Sequence, residues 1–208
     1  MNTARSEAQQ RAISEALWRV MSRGGIEDVT LRAVAAEAGC TTGLVTSRFP
    51  NKRALLLHAR RMLHERTAAA MDQAVTSEPD PSRALYNVLV ASSLTGEWAP
   101  AIWLGFITVT LSDEELRTFH IDANRHFLDV VRALVSRIQP SWDSSHTTQE
   151  AIRLVGLVTG LAVLAAADPE TYSEQAHRQA FTRAIENLQS TDLDSAAARA
   201  AHQTARSS

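Results

Sequence analysis

Apolar residues recur every three or four positions along most of the chain, and no sustained run alternates as a half-buried strand would. Ala8, Ala12, Ile13, Ala16, Leu17, Val20 and Met21 line one face of a first helix. Gly24 and Gly25 close it, because glycine tolerates the left-handed conformation past a helix end. Thr30 caps a second helix with Leu31, Val34, Ala35 and Ala38 inside, and Gly39 ends it. Thr41 caps a third, with Leu44, Val45 and Phe49 turned inward, and Pro50 breaks it. Asn51 caps a longer fourth helix with Leu55, Ala59, Met62 and Leu63 on one side.

Residues 77–82 form a turn or short linker. A fifth helix runs from about Arg83 to Leu94, and Pro100 suits the first turn of a sixth, from Ala99 to Leu111. Two capping boxes follow. Ser112 to Glu115 opens a long seventh helix carrying Leu116, Phe119, Ala123, Phe127, Val130, Leu134 and Ile138, and Pro140 closes it. Thr147 to Glu150 opens an eighth, stopped at Asp168 and Pro169. Ser173 caps a ninth with Ala176, Ala180, Phe181, Ala184, Ile185 and Leu188. Beyond Ser190 the chain is rich in Ala, Ser and Arg, without bulky apolar residues past Leu193, and reads as a disordered tail over 191–208. The expected fold is all-α. A head over 1–52 contains a helix-turn-helix at about 30–49, and a helical body covers 53–190.

The net charge of −2 conceals an asymmetry. Residues 1–66 hold 11 basic and 6 acidic side chains, whereas residues 67–208 hold 10 and 17. A basic head on an acidic body suggests that the head meets a polyanion, with chance clustering as the alternative. The single cysteine, Cys40, permits no intrachain disulfide and fits a reducing cytosol. The N-terminus lacks an apolar signal core, and the longest apolar run, residues 154–167, has about 14 residues, short of the ~18 that span a membrane. The reading is a cytoplasmic protein with no membrane partner.

Residues 12–56 resemble the N-terminal domain of TetR-type transcriptional regulators. The matching marks are Gly25, Val29, Thr30, Val34, Ala35, Ala38, Gly39, Gly43, Phe49, Lys52 and Leu55, in order and with the expected spacing. Thr42 to Val45 resembles the branch that contains choline-responsive BetI-type repressors, and Trp103 to Phe106, Ser112 to Arg117, Gly160 to Ala162 and Asp168-Pro169 sit in similar order there. The chain departs from the family in its third helix, where Thr46-Ser47-Arg48 stands in place of the usual aromatic block, so the aromatic phosphate contacts are missing. The resemblance implies a dimeric one-component regulator, a repressor that binds double-stranded DNA at a pseudo-palindromic operator and is released by a small-molecule effector. The alternative is an all-helical ligand-binding protein whose head has lost or altered DNA binding.

In a helix-turn-helix the second helix enters the major groove and its N-terminal residues reach base edges. Thr41, Thr42, Gly43, Thr46, Ser47 and Arg48 form the candidate set, with Arg48 able to grip a guanine or a phosphate. Gly43 either lets the backbone approach DNA or lets the helix pack closely on the first. Lys52 opposes the dipole at a helix N-terminus, which is sensible if a phosphate binds there; Asn51 and Arg53 are next to it in sequence, and Thr30 could offer its hydroxyl or N–H to another phosphate. Arg5 and Arg11 are candidates for the flanking backbone, and each of these residues also has a reading as an ordinary cap or solvated charge.

In the body, Tyr86, Trp98, Trp103, Phe106 and Phe119, with His120 and Asn124, form the candidate effector pocket. Aromatics ordinarily fill cores, yet here they could hold a quaternary ammonium. Arg125 argues instead for an anion. Helix eight is apolar nearly all round. The resemblance implies that helices eight and nine pair with their copies, through Gly156, Gly160, Leu164, Phe181 and Ile185. No catalytic motif, cofactor fingerprint or metal-ligand spacing is present, so the chain reads as no enzyme and as binding no cofactor or metal. Cys40 is either a small apolar filler or a redox switch.

Overall fold

The computed structural model describes the backbone of residues 2–93 and 99–206, and the side chains of residues 6–93 and 101–190. Among the described residues the chain is all helical, in the order α1 (Asn2–Gly24), α2 (Leu31–Glu37), α3 (Thr42–Arg48), α4 (Lys52–Ser77), α5 (Pro81–Ser92), α6 (Ala99–Thr110), α7 (Glu114–Ile138), α8 (Ser144–Ala167) and α9 (Glu174–Arg206).

The local signals of the head act as expected. Thr30, Thr41 and Asn51 are extended N-caps whose side-chain oxygens accept from Ala33 N (3.0 Å), Leu44 N (3.2 Å) and Ala54 N (2.8 Å). Gly25 and Gly39 take φ values of 73° and 65°, the left-handed region that ends α1 and α2. Pro50 and Asn51 separate α3 from α4.

Other boundaries differ. Asp113, not Ser112, caps α7 and accepts from Leu116 N at 3.0 Å. Ser112 donates instead to the carbonyl of Val109 in the turn before it. Asp143 caps α8 one turn earlier than Thr147, and Thr147 is helical, donating its hydroxyl back to the Asp143 carbonyl. Nothing in Ser144, Ser145 and His146 breaks a helix, so it starts at the first good cap. Asp80 caps α5, with Pro81 in its first turn, so this helix begins inside the stretch read as a linker. The backbone of α9 runs to Arg206, through the stretch read as a disordered tail; its many alanines have the highest helix propensity and need no buried face to coil.

Two apolar clusters organise the chain. The first joins Ile13, Leu17, Met21, Val34, Val45, Phe49 and Leu55 of α1 to α4 with Ile102 and Phe106 of α6 and Leu116 of α7. The core of the head therefore extends well past residue 52. Ala8 and Ala12, expected inside, are exposed. The second cluster joins Met71, Leu85, Leu89, Val131, Leu134, Leu154, Val158, Phe181 and Ile185 from α4, α5, α7, α8 and α9. At the seam α6 packs on α1 so closely that a Cβ at Gly105 would lie 2.8 Å from Met21 Sδ.

The apolar run in α8 was read as too short for a membrane. The helix spans 24 residues and is long and apolar enough to cross a bilayer by length and composition. Its inner side chains Leu154, Val158 and Ala162 are nevertheless buried where it packs against α6 and α7, while its outer side is left uncovered.

Candidate functional site

α4 connects the two candidate surfaces. Its first turn abuts α3, and its middle carries Arg60, Leu63, His64 and Thr67 into the wall of a cavity bounded by α4, α5, α6, α7 and α8.

On the head, Thr41, Thr42, Gly43, Thr46 and Ser47 are exposed on one side of α3, and Val45 and Phe49 are buried beneath. Thr46 and Ser47 turn their hydroxyls back to the carbonyls of Gly43 (3.1 Å) and Leu44 (2.8 Å). A Cβ at Gly43 would meet only Thr41 Oγ1, at 3.9 Å, so close packing on α1 does not explain this glycine. The cations expected to face a polyanion have partners within the chain. Lys52 Nζ donates to the Ile26 carbonyl at 2.7 Å, tying α4 to the turn after α1. Arg53 forks onto Asp113 and also meets Glu115 (2.7 Å), and its cation lowers the pKa of the Asp113 carboxyl. Arg48 is half-buried and donates to Gln9 Oε1 at 3.0 Å, while its Nε is buried with no partner. Arg11 is exposed on α1, and the side chain of Arg5 lies outside the described residues. Cys40 is half-buried against the head core, as a small apolar filler would be.

In the body, the cavity has a volume of about 60 Å³. Trp103 and Asn124 line it, while Phe119 and His120 stand immediately behind its cation, Arg60. Phe106 is fully buried in the head cluster and does not reach it. Tyr86 lies on α5 beside a separate surface groove near α9. Arg125 is exposed, and Trp98 lies outside the described residues.

The sequence reading missed the centre of this site. Arg60 is 3% exposed. Its guanidinium carbon lies 5.3 Å from the Trp103 ring centroid and 5.5 Å from that of Phe119, within cation–π range of both. One guanidinium nitrogen lies 3.4 Å from His120 Nδ1, and Nε has no partner. Among the described residues no carboxylate pairs with it. Burial lowers its pKa to about 10, so it is charged at neutral pH. Burial first, then the Arg60 charge, pushes His120 down to about 4 and leaves it neutral.

That neutrality fixes the local proton order. A neutral imidazole accepts at one nitrogen and donates at the other. Nδ1 faces the guanidinium, which only donates, so the proton sits on Nε2. The structure places Asn124 Nδ2 2.9 Å from Nε2, so an Nε2 proton requires the carboxamide turned over, with its oxygen accepting and its NH₂ donating elsewhere. A signal for Arg60 was available: Leu56, Arg60, Leu63 and Thr67 share one helix stripe with Met71, and a charge within such a stripe is buried with it.

On α8, Ile152 and Leu164 are 55% and 45% exposed, and a Cβ at Gly156 or Gly160 would meet nothing within 4 Å. These four residues, spaced by four, form one uncovered stripe. Phe181 and Ile185, expected on the same surface, are instead buried in the chain's own second cluster, because the apolar side of α9 closes over α5.

Residues 13–59 match the family model of bacterial regulatory proteins of the tetR family. Residues 83–190, over half the chain, match the model of the C-terminal region of BetI-type transcriptional repressors. The chain belongs to the TetR family. Within it the BetI branch is the matching one, and the chain is a transcriptional regulator, not an enzyme. The HTH-type transcriptional regulator PksA of Bacillus subtilis (strain 168) is 23% identical over 189 residues, covering 88% of this chain and 90% of that protein. The regulator BetI of Agrobacterium fabrum is 25% identical over 150 residues, covering 71% and 73%. Among solved structures, a transcriptional regulator from Saccharomonospora viridis in complex with choline superposes with a TM-score of 0.77 at 23% identity, covering 87% of this chain and 96% of that one. One from Pseudomonas aeruginosa PAO1 gives 0.74 at 21%, covering 88% and 91%. TetR-family membership thus accounts for the exposed α3 and for the separate body.

Proposed function

We propose that this TetR-family chain is a cytoplasmic homodimeric repressor that binds a pseudo-palindromic operator through α3 and is released by a small molecule bound in the body cavity. The observation that carries this reading is α4, a single helix that begins just after α3 and supplies five side chains to the cavity wall. A ligand that shifts α4 or α6 changes the angle of the head, because α6 packs on α1 at Gly105 and Arg53 ties α4 to the start of α7.

Thr42, Gly43, Thr46 and Ser47 are the proposed base-reading surface, and the open space beside Gly43 supports a close approach of its backbone to DNA. Thr30, Thr41 and Asn51 offer helix N-termini to phosphates. Arg48 and Lys52 reach DNA only by leaving Gln9 and the Ile26 carbonyl. The α8 stripe of Ile152, Gly156, Gly160 and Leu164 supports pairing with a second copy, which would place two heads on one duplex.

Footprinting on DNA flanking the chain's own gene tests this. Protection of two half-sites is expected, with log K falling against log salt at a slope near −5 if about six phosphates are met. Leu164→Glu should yield a folded monomer in sedimentation and abolish the paired footprint. A dimer that protects no DNA under any salt condition would leave the ligand-binding body as the whole function.

A further inference from the structure

We propose that the body cavity is built for a compact organic acid, its carboxylate held by Arg60 and its apolar part lying against Met71, Phe127 and Val158. The consequence at the operator rests on the repressor reading; the binding does not.

A buried charge persists where something offsets its desolvation. Arg60 is buried, lines the cavity and has an unpartnered Nε, and among the described residues no carboxylate meets it. The neutral His120 and two aromatic faces are partial substitutes for a counter-ion. A second polar atom of the same wall, Ser92 Oγ, is also buried without a partner. Asn124 stands on the exposed rim with Nδ2 2.9 Å from His120 Nε2, and its NH₂ carries two N–H groups, so one is left to donate. Guanidinium, hydroxyl and amide NH₂ make a set of donors, which a carboxylate satisfies with its several acceptor sites.

The same arrangement disfavours a quaternary ammonium. Among the described residues no acidic side chain lines the cavity to balance a ligand cation. Arg60 already occupies the faces of Trp103 and Phe119 that would hold one. Choline, the ligand in the Saccharomonospora viridis structure, would meet a like charge here. Inorganic phosphate would satisfy the donors but leave Met71, Phe127 and Val158 uncovered. A volume of about 60 Å³ is well under the ~150 Å³ that encloses a benzene ring, so a short-chain acid suits it and a ring must protrude from its open side.

The test is calorimetric titration of the full chain at pH 7.5 with butyrate and benzoate, against benzamide, choline and inorganic phosphate. One acid per chain is expected, with the other three at least tenfold weaker. Arg60→Gln should weaken acid binding about 30-fold or more. Asn124→Ala, at an exposed position where folding is not at stake, should weaken it about fivefold. Acids no tighter than benzamide, choline or phosphate tighter than every acid, or unchanged acid affinity in a folded Arg60→Gln variant would each overturn the proposal. Operator affinity measured in parallel separates the two readings. Acid binding that leaves DNA affinity unchanged upholds the acid site and removes effector release. Release by choline without acid binding overturns the acid site and leaves effector release standing.

Discussion

Four surface cations of the head and one buried cation of the body have opposite surroundings. Lys52, Arg53, Arg19 and Arg23 all lie at or near the head surface, and each meets an acceptor within the chain: the Ile26 carbonyl, Asp113 with Glu115, and Glu37 for the last two. Arg60, in the body, is buried and meets no carboxylate among the described residues. In water an exposed cation gains little from a partner and loses little without one. In a low-dielectric interior the missing partner dominates the energy. Net charge points to the head as the anion-binding end, whereas partner geometry points to Arg60 as the place where an anion is wanting. Both readings hold, because a polyanion on a surface and a single carboxylate in a cavity are recognised by different physics.

The sharpest way to break this comparison is at the seam. Phe106 belongs to α6 but is fully buried in the cluster of the head. Phe106→Ala should cost about 3–5 kcal/mol in urea unfolding, as a single transition with an unchanged slope. Two separate transitions would mean that head and body fold as independent units, and that a ligand in one has no rigid route to the other.

Next in size is Lys52→Met. A charge-assisted hydrogen bond to a carbonyl at a half-buried site is worth about 1–2 kcal/mol, and thermal unfolding should register that loss. Unaltered stability would show Lys52 to be free for phosphate, placing it with the exposed cations whose partners are incidental. Smaller again is Thr41→Ala, which removes the acceptor for Leu44 N and should cost about 1 kcal/mol. Arg53→Ala should shift thermal unfolding least of these, since its two carboxylate partners are met at the solvent-screened surface.

The legible parts of the molecule are those governed by local chemistry. Thr30, Thr41 and Asn51 cap where a residue-by-residue reading puts them, and Gly25 and Gly39 take positive φ where helices must stop. The cap errors at Ser112 and Thr147 have one cause: an aspartate stood nearby, and with similar cap preferences the flanking chain decided. Burial by other elements was harder to read. Phe181 and Ile185 look like any exposed apolar stripe until α5 is known to cover them. Phe106 has an aromatic's credentials for a pocket, but α6 turns it toward α1. Arg60 is easily overlooked because arginine on a helix is usually solvated. Only its position in the stripe with Leu56 and Leu63, confirmed by Trp103 and Phe119 from helices distant in sequence, marks it as interior.

The smallest expected effect is the most informative. Replacing a fully buried side chain that touches two aromatic rings ordinarily costs several kcal/mol. Arg60→Met in the unliganded chain should change stability by less than about 1 kcal/mol. The substitution forfeits two cation–π contacts, about 1–2 kcal/mol each when desolvated, and one long hydrogen bond of about 1 kcal/mol. It also removes the desolvation penalty of an uncompensated guanidinium, several kcal/mol, and methionine offers a flexible thioether to the same rings. These contributions nearly cancel. With an acid at a hundred times its Kd, the parent should gain about 2.7 kcal/mol by mass action and the methionine variant almost nothing. A large loss in the unliganded variant would mean that His120, Trp103 and Phe119 already satisfy Arg60. In that case the contrast between paired surface cations and an unpaired interior one would disappear.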